Sequence, residues 1–178
     1  MRITPVFLVA ALLLAGCQNG LTGNVVKNTA MQTERVTCSQ QRVVLIKGQS
    51  MEPTLHDGEN VTGLIGYYAC HEPARGDIVL FRMPDGFGVK RIAGIPGDTW
   101  RVEERTLYLN NEVAERNNRA YAITPKMERF LQQYTYFNPL PAEHYFLLAD
   151  YTGNALDSRR IGIVAKNDIV GKIEEAST

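Results

Sequence analysis

From Arg42 onward, apolar and polar positions alternate in short runs, and clusters of turn residues separate the runs. A period of two sends one side of each run toward a core and the other toward water, which predicts half-buried β-strands. The runs predict strands over Arg42–Lys47, Asn60–Tyr68, Asp77–Met83, Phe87–Ile95, Asp98–Val102, Thr106–Leu109, Tyr145–Ala149 and Ile169–Ile173. Turns are marked by His56-Asp57-Gly58, Arg75-Gly76-Asp77, Pro84-Asp85-Gly86, Pro96-Gly97-Asp98 and Asn110-Asn111. Only Lys126–Tyr134 has helical spacing, with Met127, Phe130, Leu131 and Tyr134 at i, i+3, i+4 and i+7. The pattern predicts a mainly β protein with one short helix.

The N-terminal segment is patterned differently. Arg2 precedes an apolar run from Val6 to Leu14 and a small-residue end, Leu14-Ala15-Gly16-Cys17. The run is too short to span a bilayer permanently and reads as a secretory signal. Leu-Ala-Gly-Cys resembles the lipobox of bacterial lipoproteins, which implies cleavage before Cys17, lipidation of that residue and a tether on the far side of the cytoplasmic membrane. A plain signal peptide or short anchor, with Cys17 incidental, is the alternative. Residues 1–16 are therefore assigned to a signal peptide and 17–40 to a polar tether without periodicity. Residues 41–178 form the folded domain, within which 111–140 carry the fewest signals.

A chain of 178 residues accommodates one domain with a real core. The formal charge of +0 gives no electrostatic reason to expect a nucleic-acid partner. Export permits Cys38 and Cys70 to pair, two free thiols being the alternative, and no Cys or His cluster has metal-site spacing.

Histidine is scarce, at three residues, so a histidine-based triad has few candidates. A serine with a desolvated lysine needs none, and Ser50 and Lys90 are such a pair. A lysine amine with its ordinary pKa of about 10.4 is protonated at neutral pH, and lowering that value by two to three units through burial costs about 3–4 kcal/mol. On a strand, Lys90 and Ile92 share one face, while Val89, Arg91 and Ala93 share the other, where Arg91 stays in water. Taken singly, a strand lysine is a solvated side chain and a Ser-Met-x-Pro run is a turn.

The set is more specific. Gly48-Gln49-Ser50-Met51-Glu52-Pro53-Thr54-Leu55 resembles the serine box of type I signal peptidases. Arg75-Gly76-Asp77-Ile78-Val79, then Val89 through Asp98, then Asp150 through Gly162 with Asp157-Ser158-Arg159, follow in that family's order. The resemblance spans about residues 43–173 and implies a signal-peptidase-like fold of coiled antiparallel sheets. It implies a Ser50 nucleophile, a Lys90 general base, an oxyanion donor at the Ser50 backbone N–H, and no cofactor. Asp157 and Arg159 would form a structural ion pair near Asp150, rather than an ordinary surface pair. Four departures stand out: Gly48 where some members carry a hydroxyl that donates to the oxyanion, Ala155 where the family has a serine on the lysine, Ala149 before Asp150 where the family prefers glycine, and Tyr151-Thr152-Gly153 in place of a polar, basic run.

The resemblance further implies signal-peptide-bearing precursors as partners, bound as an added strand with small residues one and three positions before the cut. Pilin-like precursors are the clients of specialised relatives. Met51, Leu55, Ile78 and Phe81 are candidate pocket walls, with core packing as their other role. The lipid anchor would place the site on the extracytoplasmic face of a bacterial membrane. Two rivals remain: self-cleaving repressors, which share the Ser/Lys dyad but are cytosolic, and a binding module that kept the fold after losing activity, as Gly48 and Ala155 suggest.

Overall fold

The computed structural model describes residues 38–175. The expected signal peptide over residues 1–16, Cys17 and the tether up to residue 37 lie outside them. The strands are β1 (Gln40–Leu45), β2 (Asn60–Ile65), β3 (Ile78–Met83), β4 (Gly86–Gly94), β5 (Trp100–Glu103), β6 (Thr106–Leu109), β7 (Glu112–Val113), β8 (Glu115–Arg116), β9 (Arg119–Ala120), β10 (His144–Leu148), β11 (Val164–Ala165) and β12 (Ile169–Ile173). The helices are α1 (Pro125–Leu131) and α2 (Ser158–Ile161). None of the described helices is long and apolar enough to cross a membrane.

Seven strands form an antiparallel sheet in the order β1-β2-β12-β3-β4-β10-β11, beside a three-stranded sheet β5-β6-β7 and the hairpin β8-β9. The mainly β, antiparallel expectation holds. Ile46, Met51, Leu55, Val61, Ile78, Leu80 and Ile173 pack one core region, while Val79, Phe81, Ile92, Tyr145 and Leu147 belong to a second. The third lies between the smaller sheet and α1, around Trp100, Leu107, Tyr121, Met127, Leu131 and Phe146.

Element ends depart from the alternation pattern for local reasons. β2 stops at Ile65, short of Tyr68, because Gly66 has a φ of 81° and turns the chain into a 3-10 turn over Tyr67–Ala69. β5 begins at Trp100 because the Asp98 carboxylate instead organises the preceding loop, accepting from Ile95 N at 2.7 Å and Asn110 Nδ2 at 2.7 Å. The helix begins one residue early, where the Thr124 hydroxyl caps Met127 N and Pro125 occupies the first turn. It continues as a 3-10 helix over Gln132–Phe137. Cys38 and Cys70 are joined by a disulfide, with Cα atoms 5.6 Å apart, which ties the approach to β1 to the turn following β2.

Candidate active site

Local forces set the position of Ser50. Gly48 adopts a φ of 83°, and its N–H donates to Asp57 Oδ1 at 2.6 Å. Thr54 N and Leu55 N both donate to Met51 O, at 2.9 and 3.0 Å. The Met51 and Leu55 side chains pull this turn into the core, leaving Ser50 partly exposed at its rim.

Lys90 arrives from β4, and its Nζ lies 2.8 Å from Ser50 Oγ and 2.7 Å from Val89 O. The residue is only 6% exposed. Burial pushes the amine down to about 8, against the opposing influence of the Asp157 and Asp150 charges. Ala155 brings no hydroxyl to the amine; Ser50 Oγ and Val89 O are its hydrogen-bond partners among the described residues.

Asp150 links the two elements. Arg91, beside the lysine, grips its carboxylate in bidentate fashion at 2.9 and 2.8 Å, while the hydroxyl of Thr54, in the serine turn, donates to the same group. Tyr151 N also donates to Ser50 O at 3.1 Å. Burial pushes the Asp150 carboxyl up, but hydrogen bonds from Arg91 and Thr54 and the charges of Arg91 and Arg116 outweigh it, leaving the group below its ordinary range. Arg91 therefore does not stay in water, as alternation suggests. Its side chain is 12% exposed and also pairs with Glu175 at 2.9 Å, because the face opposite Lys90 is covered by this charge network.

Asp157 and Arg159 are both 0% exposed, which excludes a surface pair. Arg159 Nη2 donates to Asp157 Oδ2 at 2.7 Å, and its Nη1 donates to Ala122 O and Thr152 O at 3.0 and 2.8 Å. Asp157 Oδ2 accepts from Ala149 N at 3.1 Å, so the pair clamps the chain just before Asp150.

An apolar cleft of about 440 Å³ leads to the serine and lysine between β1 and the start of β4. Val43, Leu45, Phe87 and Leu156 line it while remaining exposed, and β1 is the outermost strand of its sheet.

A family model described as signal peptidase, peptidase S26, matches residues 29–177. Signal peptidase I S of Bacillus subtilis (strain 168) is 36% identical over 131 residues, covering 71% of each chain. Signal peptidase IB of Staphylococcus aureus (strain COL) is 32% identical over 140 residues, covering 72% of this chain and 73% of that one. The chain belongs to the signal peptidase S26 family, and it is a serine peptidase. A crystal structure of a signal peptidase I from Enterococcus faecalis V583 aligns at a TM-score of 0.43 with 24% identity, over 58% of this chain and 98% of that one.

In this family member, the structure brings Ser50, Lys90, Asp150, Asp157 and Arg159 into one connected region and leaves some candidate pocket walls elsewhere. Met51 lines the cleft, but Leu55, Ile78 and Phe81 are packed in the core and do not reach its lining. Their burial completes the sheet's interior, whereas the exposed part of the lining comes from Val43 and Leu45 on the outermost strand β1, from Phe87 at the start of β4 and from Leu156. The exposed apolar Val43 and Leu45 on a short strand were the available sequence signal. Thr54 and Arg91 lie inside the motif segments, but nothing local marks them or Arg116 as partners of Asp150, since the three come from separate segments.

Proposed function

We propose that this serine peptidase removes signal peptides from exported precursors, with Ser50 Oγ as nucleophile and Lys90 Nζ as general base. The observation that carries the reading is a buried lysine amine 2.8 Å from a serine hydroxyl at the end of an apolar cleft. Lys90 Nζ takes the hydroxyl proton as Oγ attacks the scissile carbonyl, and the ammonium then protonates the leaving amine. The neutral amine next activates water against the acyl-enzyme. The Ser50 N–H has no protein acceptor among the described residues and serves the oxyanion. Gly48 N–H is committed to Asp57, so a second donor must come from elsewhere. Asn154 borders the same hollow as Ser50, and its Oδ1 accepts from Arg160, which leaves its amide N–H groups for that role.

The precursor adds as a strand along β1, with small side chains before the cut facing the apolar cleft. Asp150, Asp157 and Arg159 act as positioning residues. A lipid on Cys17 holds the site at the extracytoplasmic face of the membrane, and pilin-like precursors are one client class. The test uses the full-length chain in detergent with a panel of precursor peptides and mass spectrometry of the products. Cleavage after a small residue, abolished by S50A and by K90A with circular dichroism unchanged, is expected. Retained cleavage in either variant overturns the assignment.

A further inference from the structure

The groove does not end at Ser50. A hollow of about 320 Å³ begins at Ser50 and is bordered by Glu52, Tyr151 and Asn154. Glu52 and Tyr151 also border the next hollow, of about 440 Å³, whose far wall is Arg116, Asn117 and Arg119. If residues before the cut occupy the apolar cleft, residues after it leave Ser50 in this opposite direction.

The far wall is cationic. Arg116 and Arg119 face each other directly across the β8-β9 hairpin, an arrangement of like charges that destabilises the pairing. Their geometry is fixed by the two-residue turn Asn117-Asn118, with φ values of 52° and 59°, which suits a tight hairpin. Arg116 Nε has no hydrogen-bond partner among the described residues, but it is buried, so it is the guanidinium's charge and not this atom that faces the path. Its Nη2 lies 3.3 Å from Asp150 Oδ2 and shares that carboxylate with Arg91, which also pairs with Glu175, so Arg119 is the cation of the hairpin left without a carboxylate among the described residues. Arg119 is exposed and has no ion pair among the described residues. The one carboxylate bordering this path besides Asp150 is Glu52, at the end nearer Ser50.

We infer that the β8-β9 hairpin forms a subsite for the mature part of the precursor, where Arg116 and Arg119 receive an acidic side chain a few residues after the cut. This rests on the peptidase reading above. Glu52 keeps the anion away from the residues next to the scissile bond, and the arginines attract it further along an extended chain that advances about 3.3 Å per residue. The exposed end of the subsite makes the preference modest and salt-sensitive.

The test is a set of precursor peptides identical except for Asp, Asn or Lys placed in turn at positions two to five after the cut. The full-length chain is assayed for kcat/KM on each. At one position, the Asp peptide is expected to exceed the Lys peptide by about three- to fivefold, a gap that shrinks at high salt. R119E inverts that ratio, R119Q reduces it toward one, and R119K retains it. Equal kcat/KM for Asp and Lys peptides at all positions overturns the subsite, as does a ratio unaltered in R119E. Failure to cleave even the Asn peptides overturns the peptidase reading instead.

Discussion

In the proposed mechanism one buried amine, Lys90, sets the pH profile. Its pKa of about 8 when folded lies below the ordinary value, so the neutral, basic form is scarce at pH 6 and dominant above pH 9. The kcat/KM for a peptide precursor should rise about tenfold per pH unit up to about pH 8 and then level; a profile flat from pH 6 to 9 rules out Lys90 as base. The same shift governs stability, with its sign set by proton uptake. Between the folded value and the unfolded value near 10.5, the unfolded chain holds more protons, so stability rises with pH across that window. Below about pH 8 the full penalty of a buried ammonium applies, of order 3 kcal/mol. K90M should therefore be inactive, and its stability relative to the parent should fall as pH rises from about 8 to about 10.5, because only the parent loses the ammonium penalty across that window. A stability difference between the two that stays constant over that window would count against the burial argument. For the oxyanion, N154A should cut kcat by about a hundredfold with KM little changed, and a variant with parental kcat removes Asn154 from that role.

β1 carries the cleft but is held weakly. Among the described residues it pairs only with β2, most of its side chains are exposed, and the Cys38–Cys70 disulfide secures its approach across a sequence separation of 32 residues. Closing a loop of that length contributes about 2–4 kcal/mol. C70S should lose that much in denaturant melts and show faster amide exchange at residues 40–45; equal exchange in both forms shows that β1 needs no clasp. Apolar runs between turn residues are enough to find β1 to β6, β10 and β12: β2, β4 and β12 alternate buried and less buried positions, whereas β3 and β10 are continuous apolar runs buried on both faces. The β8-β9 hairpin was invisible to that reading, since two-residue strands carry no periodicity, although Asn117-Asn118 is a turn signal of the same kind as Asn110-Asn111.

Across the molecule, the Asp157–Arg159 clamp joins α2, the end of β10 and the segment before α1. Its value lies in fork geometry, which an ammonium cannot reproduce. R159K should destabilise the fold by about 3 kcal/mol or more, because Ala122 O, Thr152 O and part of the Asp157 carboxylate lose donors inside the protein. Thermal unfolding within 1 °C of the parent would refute that role. Activity should fall with it, since Asp150 sits one residue after Ala149, whose N–H the clamp holds.

The sequence by itself determined the β-rich class and the family and pointed to Ser50 and Lys90, because alternation and short motifs are properties of neighbouring residues. Tertiary structure alone decided that Arg91 leaves water for Asp150, that Leu55, Ile78 and Phe81 fill the core rather than the cleft, and that Arg116 and Arg119 flank the path beyond the serine. Those outcomes depend on which distant segments meet: a side chain's burial and its charged neighbours are set by the strands packed against it, not by the residues beside it in the chain.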